Sequence, residues 1–505
     1  MPSAPELFQK LQEQLKKSSK FGHAASLLAW DHKTYMPPRG ADGRAEMIAA
    51  VETECFKIFT SDASGKMFDD LAPQSGELNP QQRMFFERAR AMYQRQKKIP
   101  ADFFESFSLV KSKSQTVWVE AKQTSNFKLF RPHLEEIYNY VRQLAEFFGY
   151  QDSPYDALLP DYEPGMTTKQ LKSIIKELEP LKTIVRRLTE GTHKPNEGIL
   201  QGHFPEEQQE RLSIWAIEAV GYDMNAGRLD RSEHPFTITV GPDDTRLTTN
   251  YRTWTWTPAL FAALHEAGHG MYDQGKDGML KWFYQDSGYS LGIHESQSRM
   301  WENMVGRSLS FWKFFYPKMQ STFPYYGQII LSDFYAAINA VKTSPVRTQA
   351  DEVTYNLHIM LRFEIEEALL SKALEVKDLP AFWNQKMKEY LNITPANDAQ
   401  GVLQDIHWSG GMVGYFPTYM LGNLYAAQLY EAAKKDIPTL DQEFEKGNFR
   451  VLLNWLREKV HRFGLVEEAP KLIQRVTGQA PSSRPWLTYI RDKFGQIYNV
   501  SLNGD

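Results

Sequence analysis

Apolar side chains recur every three or four residues along most of this 505-residue chain, which is the spacing of amphipathic helices packed on a core. Residues 167–189 show the pattern clearly, and Pro180 is placed to break or kink it. The same spacing returns in four further stretches, residues 131–149, 357–377, 420–436 and 443–464. No fixed-period repeat and no low-complexity linker divides the sequence. We therefore predict a mainly α fold, built as a single predominantly helical domain over residues 1–505.

The overall charge and the cysteine content exclude several classes of protein. The chain has 58 Lys and Arg against 62 Asp and Glu, so its formal net charge of −4 gives no broad basic surface for nucleic acid or anionic membrane. Cys55 is the single cysteine, which excludes an intramolecular disulfide and a cysteine-ligated zinc or iron–sulfur site. The sequence lacks both the apolar run of a membrane span and the pattern of a signal peptide. We expect a cytoplasmic protein without nucleic-acid or membrane partners.

One region departs from the helical pattern. Residues 235–240 and 245–250 alternate and are rich in β-branched side chains, and a Gly-Pro-Asp-Asp turn lies between them at 241–244. This pattern predicts a short β-hairpin over residues 235–250, with an irregular loop as the alternative.

A His-Glu-Ala-Gly-His motif follows the hairpin directly. Thr257 as N-cap and Pro258 as first helical residue indicate where its helix begins. Residues four apart lie on one side of a helix, so His265 and His269 face the same way and could ligate one ion. Glu266 lies beside them without replacing a ligand, where a carboxylate could take a proton from a metal-bound water. The motif therefore predicts a metallopeptidase site.

Chance is the competing explanation for so short a motif. Three fixed residues in five arise by coincidence in many proteins, and the chain would then be a non-catalytic helical binding protein with structural histidines. The capped helix, its apolar face and the adjacent Glu266 favour the metal site, because a structural site has no use for that carboxylate.

A catalytic zinc site needs a third protein ligand and one open position. Downstream carboxylates supply the candidates, which are Asp273, Asp277, Asp286, Glu295 and Glu302. Glu295 lies on a predicted second helix that could cross the first, and Glu302 lies seven residues on, on the same face. Spacing favours Glu295 and leaves Glu302 open.

Further motifs in the chain resemble the carboxypeptidase Taq family of metallocarboxypeptidases, and the resemblance extends through most of the sequence. Besides the two histidines, it rests on Asp31–Pro37, His234–Phe236, Asp244–Thr249, His294–Gln297, Val346–Glu352, Gly401–Trp408 and Gly414–Tyr419. The resemblance implies a gluzincin-type peptidase with a deep groove between two helical halves, as in neurolysin. It also implies one divalent metal per chain, zinc or cobalt, with Glu295 as third ligand, and a homodimer.

The chemistry of peptide hydrolysis assigns roles to more residues. The oxyanion needs donors, and His407, Tyr415 and Tyr419 lie on or after a Gly-rich segment that could cover a groove. In the related folds a His and a Tyr about a dozen residues apart do this, which favours Tyr419, while buried core tyrosines are the plainer alternative.

A carboxypeptidase must also bind the terminal carboxylate of its substrate, and the planar guanidinium of arginine suits that task. Arg347 is the first candidate, on the resemblance, and Arg299 is the second. His234 could bind substrate or brace a metal ligand.

The sequence as a whole predicts a metallocarboxypeptidase acting on peptides, with Glu266 as general base and acid. Its metal-site core is expected over about residues 230–420. The alternative is an endo-acting oligopeptidase with the same metal site, in which Arg347 is structural.

Overall fold

The computed structural model describes residues 2–283 and 289–502, and helices make up most of the described chain. The α-helices in chain order are α1 Ala4–Thr34, α2 Ala41–Phe59, α3 Asp62–Leu71, α4 Pro80–Gln96, α5 Ala101–Gln123, α6 Phe127–Phe148, α7 Pro154–Leu158, α8 Thr168–Glu177, α9 Pro180–Glu190, α10 Glu206–Val220, α11 Thr257–Gln274, α12 Leu291–Arg299, α13 Leu309–Thr322, α14 Leu331–Ile338, α15 Tyr355–Leu370, α16 Leu379–Leu391, α17 Pro417–Asp436, α18 Leu440–Glu445, α19 Arg450–Leu456, α20 Ala469–Thr477 and α21 Arg484–Tyr498. The predicted mainly α fold is confirmed.

A small three-stranded sheet packs against α11. Its strands are β1 Gly227–Arg231, β2 Thr237–Gly241 and β3 Asp244–Thr249, and β3 lies in the middle. The antiparallel pair β2 and β3 confirms the predicted hairpin, whose turn carries Asp243 at a φ of 59°. Strand β1 pairs in parallel with β3 and was not predicted, because its sequence does not alternate.

Helix boundaries follow the sequence signals in some places and not in others. Pro180 opens α9 directly after α8 ends, as predicted. The predicted 443–464 helix is wrong as one element, because Gly447 takes a left-handed φ of 80° and separates α18 from α19. Thr257 is also not an N-cap. It is the first residue of α11, and Trp256 takes the cap position without a side-chain hydrogen bond.

Two glycines let helices α11, α12 and α17 approach one another closely. A Cβ on Gly268 of α11 would lie 2.6 Å from the carbonyl oxygen of Gln297 and from Cα of Ser298, both on α12. A Cβ on Gly422 of α17 would lie 2.7 Å from Cβ of Glu295. Helix α12 is therefore held between α11 and α17 at distances that a larger side chain would not permit.

One contiguous core of buried apolar residues runs through the described chain, from Ala4 to Leu502. An open cavity of about 800 Å³ extends along α11 and α12 and is the groove of the molecule. Among the described residues, no helix is both long and apolar enough to cross a membrane.

Candidate active site

The two histidines of α11 lie one helical turn apart on one side of the helix. Their ring centroids are 5.0 Å apart. His265 lines the groove, and both side chains are largely buried. The helical spacing that the sequence predicted therefore brings both imidazoles to one place.

Glu295 reaches this pair from α12. Its Oε2 atom lies 3.3 Å from Nε2 of His269 and 3.7 Å from Nε2 of His265. One ligand atom from each of the three side chains can be chosen so that all lie within 4.8 Å of one another. Three converging donors at such distances fit a single divalent cation.

Glu302 contacts His265 from the other side of its ring. Its Oε2 atom lies 2.9 Å from Nδ1 of His265, while Arg299 lies 3.4 Å from the same oxygen. Burial opposes ionisation, but the His265 hydrogen bond and Arg299 lower the pKa of Glu302 to about 2. Glu302 is thus a carboxylate that fixes the orientation of His265 and leaves Nε2 free to face Glu295.

Arg299 also pairs with Glu295 itself. Its Nε donates to Oε1 of Glu295 at 2.7 Å. Although burial opposes ionisation, Arg299 and the histidines hold the pKa of Glu295 well below its usual range. Glu295 is therefore an ionised donor, as a metal ligand must be.

The other carboxylates proposed as third ligands lie elsewhere. Asp273 is buried against Lys276 at 2.6 Å and lies 3.5 Å from His294, whose ring stacks on His269 at 4.3 Å. Asp277 pairs with Arg462 at the surface, at 3.4 Å. Asp286 lies outside the described residues.

Glu266 is buried and lines the groove beside the histidines. The hydroxyl of Thr237, on strand β2, lies 2.6 Å from Oε2 of Glu266 and 2.9 Å from its main-chain oxygen. Thr237 was not predicted as a site residue. It fixes the Glu266 carboxylate from strand β2 of the hairpin.

His407, Tyr415 and Tyr419 form one cluster beside the groove. Nε2 of His407 lies 3.2 Å from the hydroxyl of Tyr419, and the Tyr415 and Tyr419 ring centroids are 5.3 Å apart. Of the three, Tyr419 lines the groove. Burial lowers the pKa of His407 to about 4, so its imidazole is neutral at pH 7, and burial raises the pKa of Tyr415 to about 12. Burial also holds the pKa of Tyr419 well above its usual value.

Arg347 lies in the same wall as Tyr419 and is part of a buried charge cluster. Its Nε donates to Asp405 at 2.9 Å and its Nη1 to the hydroxyl of Tyr355 at 2.7 Å. Arg362 pairs with the other oxygen of Asp405 at 2.6 Å. Two guanidinium groups therefore share one carboxylate, which leaves one positive charge in surplus beside the groove.

Arg299 leaves no positive charge in surplus, because its one guanidinium group pairs with two carboxylates, those of Glu295 and Glu302. His234 is exposed at the rim of the groove, and among the described residues its side chain has no hydrogen-bond partner. In the described part of the chain, His234 thus makes no side-chain hydrogen bond to a predicted metal ligand, whereas Glu302 contacts His265.

Sequence reasoning missed Thr237, Arg362, Asp405 and the role of Glu302. Asp405 could have been found, because it lies in the same Gly401–Trp408 motif as His407. Thr237 and Arg362 carry no local signal. Their contacts depend on how distant helices and strands pack.

Comparison with known proteins places the chain among metallocarboxypeptidases along almost its full length. The family model of the carboxypeptidase Taq (M32) metallopeptidases matches residues 10–494. Carboxypeptidase 1 of Bacillus subtilis is 40% identical over 486 residues, covering 96% of this chain and 97% of that one. Thermostable carboxypeptidase 1 of Thermus thermophilus is 37% identical over 503 residues, covering 97% and 99%.

A solved structure agrees with the sequence comparisons. The crystal structure of an M32 carboxypeptidase from Deinococcus radiodurans superposes with a TM-score of 0.94 at 35% identity, covering 98% of this chain and 100% of the other. The resemblance seen in the sequence motifs is confirmed.

Proposed function

This chain belongs to the carboxypeptidase Taq (M32) family of metallopeptidases and is a metallocarboxypeptidase, and on that premise we propose how its own residues remove C-terminal residues from peptides. The observation that carries the proposal is the meeting of three metal-type donors, one buried carboxylate and one surplus arginine charge along a single groove.

His265, His269 and Glu295 would hold the metal. The donor set of two imidazoles and one carboxylate is that of catalytic zinc sites, so zinc is the proposed ion, with cobalt as the second candidate. When bound, the ion would polarise the scissile carbonyl and lower the pKa of a water molecule. Glu302 would orient His265, and Arg299 favours the ionised form of both Glu295 and Glu302.

Glu266 would act as general base and then as general acid. Its carboxylate accepts a proton from the attacking water and passes that proton to the leaving amine. Because Thr237 donates to Oε2 at 2.6 Å, the other oxygen, Oε1, is the one available for the water.

Tyr419, which lines the groove, would donate to the oxyanion. Its hydroxyl stays protonated, because burial raises its pKa, and neutral His407 holds it at 3.2 Å. Tyr415 packs against the rings of His407 and Tyr419 and is the second candidate for this role. Donors fixed in place before the reaction stabilise the charge that develops on the carbonyl oxygen.

Arg347 would bind the terminal carboxylate of the substrate. Its surplus charge is available for an anion, whereas Arg299 is already balanced by two carboxylates. Charge-assisted contacts of arginine with a carboxylate are strong and directional. His234, at the rim, would hydrogen-bond the peptide.

The remaining assignments rest on the family resemblance and on composition. We propose a cytoplasmic homodimer that acts on peptides, with each chain a single domain whose metal-site core covers about residues 230–420. Light scattering on the purified protein would test the dimer.

Digestion of an unstructured peptide, followed by mass spectrometry over time, tests the proposed action. Successive loss of single C-terminal residues is expected, and a chelator should stop it until zinc is added back. Internal cleavage products would instead support the endo-acting oligopeptidase, which the comparisons do not favour.

A further inference from the structure

Two buried glutamates outside the proposed machinery each hold one half of the active site. Glu163 and Glu366 are both fully excluded from solvent. Each accepts hydrogen bonds from three different residues, and among the described residues none of these donors is a proposed catalytic side chain.

Glu163 holds the start of the helix that carries the metal ligand Glu295. Its carboxylate accepts from the hydroxyl of Ser290 at 2.8 and 2.9 Å and from the amide of Gly292 at 3.0 Å. It also accepts from the hydroxyl of Tyr425 on α17, at 3.0 Å. The carboxylate therefore fixes the N-terminus of α12 against α17.

Glu366 holds both ends of the loop that carries His407. The loop, residues 407–414, donates to it at 2.8 Å from the indole of Trp408 and at 3.1 Å from the amide of Gly414. This carboxylate, on α15, thus fixes the entry and exit of the loop on the oxyanion side.

Residues 155–163 connect the two carboxylates, and we call them the 155–163 segment. At one end Tyr155 donates to Glu366 at 2.6 Å, and at the other Glu163 binds α12. Between them Tyr162 packs on the ring of Tyr415, and its carbonyl accepts from the amide of Leu291 at 2.9 Å.

A separate ion pair anchors this segment to the body of the protein. Arg95 on α4 binds both oxygens of Asp161 at 2.5 and 2.9 Å and the carbonyl of Ala157 at 2.6 Å. The segment is thus bound at both ends and in the middle, and it cannot shift without moving the groups that it contacts.

We propose that the 155–163 segment sets the distance between the metal-binding helix and the oxyanion-side loop, with Glu163 and Glu366 as its positioning residues. The inference deepens the proposed function and rests on it, because it assigns the loop to the oxyanion side. Misplacement of reacting groups by about 1 Å can cost a hundredfold in rate.

Glu366→Gln tests the contact between Glu366 and the 407–414 loop. An amide offers one acceptor oxygen, so it cannot satisfy Trp408, Tyr155 and Gly414 together. At pH 8, above the pKa of about 7 that burial gives both glutamates, kcat should fall about 10- to 100-fold with KM little changed. Zinc affinity, measured by competition with a chromophoric chelator, should stay normal.

Glu364→Gln is the matched control. Glu364 lies on the same helix and contacts Tyr390 and Lys386, away from the groove. It should leave both kcat and zinc affinity unchanged. If Glu366→Gln fails to fold, Tyr155→Phe removes a single donor, and about a fivefold loss in kcat is expected.

Glu163→Gln tests the contact between Glu163 and the start of α12. It should weaken zinc binding about 10- to 100-fold, which is the usual effect of losing a group that orients a ligand. Normal zinc affinity in this variant would overturn the metal half of the inference.

A double-mutant cycle separates this inference from the proposed function. Glu366→Gln should cost little more in the Tyr419→Phe background, because both act on the same donor, whereas full additivity would overturn the loop half. If Tyr419→Phe alone keeps a normal rate, the oxyanion assignment fails. In that case two measurements still decide the inference. The first compares kcat of Glu366→Gln with kcat of Glu364→Gln, and the second compares the zinc affinity of Glu163→Gln with that of the wild type.

Discussion

Nδ1 of His265 lies 2.9 Å from Oε2 of Glu302, and this contact fixes which nitrogen of the histidine faces Glu295. The ionised carboxylate accepts a hydrogen bond from Nδ1–H, so in the neutral imidazole Nε2 is the nitrogen with a lone pair for a metal. We therefore propose different tasks for Glu295 and Glu302, the two carboxylates that spacing offered as rival ligands.

Alanine variants should separate those tasks. We expect that His265→Ala, His269→Ala or Glu295→Ala abolishes bound metal, because each removes one donor of a three-donor site. Glu302→Ala should keep one metal per chain at saturation, with affinity about 10- to 100-fold weaker. Metal analysis and chelator competition measure both, and one metal per chain in Glu295→Ala would refute its assignment.

Glu266→Gln should keep the metal and lose turnover. The amide preserves the volume of the side chain but cannot accept the proton of the water, so kcat should fall about 10²- to 10⁴-fold. Steady-state kinetics on a short peptide, with metal content measured on the same preparation, checks this. A variant with a near-normal rate would remove Glu266 from the mechanism.

Buried His407 should make the protein less stable in acid. Its pKa is about 4 in the folded protein against about 6.5 in the unfolded chain, so between these values the unfolded state binds more protons. The free energy of unfolding of the wild type, relative to His407→Gln, should fall as pH drops from 6.5 to 4, by at most about 1.4 kcal/mol per pH unit. Urea unfolding of both proteins at several pH values measures it, and parallel pH curves would contradict the assignment.

Gly268→Ala should disturb the crossing of α11 and α12. The added Cβ would meet main-chain atoms of Gln297 and Ser298 at 2.6 Å, and overpacking of this kind costs about 1–3 kcal/mol. Thermal unfolding should shift to lower temperature, and zinc affinity should fall. Gly43→Ala in α2 is the control, since nothing lies within 4 Å of its added Cβ and helix propensity favours alanine. An equal response of the two variants would contradict the close-packing argument.

Short-range patterns predicted the hairpin and the paired histidines, because a turn sequence and a four-residue spacing are local properties. The rivalry between Glu295 and Glu302 could not be resolved in this way. The comparison of the two glutamates assumed regular α-helical spacing between them. Glu302 instead lies in a π-helical segment, Met300–Val305, that follows α12 directly.

Contacts between distant segments could also not be predicted from the sequence. Thr237 meets Glu266 because a strand packs on a helix, and Arg362 meets Asp405 because a loop packs on a helix. Neither Thr237 nor Arg362 carries a local signal for its contact. The single cysteine and the net charge excluded disulfides, cysteine-ligated metal sites and a broad basic surface, but they did not locate the active site.

The most direct test of the account is a cycle that combines Arg347→Ala with amidation of the C-terminus of the peptide. A charge-assisted contact is worth about 1.5–3 kcal/mol, so each change alone should lower kcat/KM about 10- to 100-fold. Arg347 and the terminal carboxylate are partners in one contact, so the two changes together should cost little more than either alone. Full additivity would exclude Arg347 from binding the terminus and point to Arg299, and unchanged cleavage of the amidated peptide would contradict recognition of the terminus altogether.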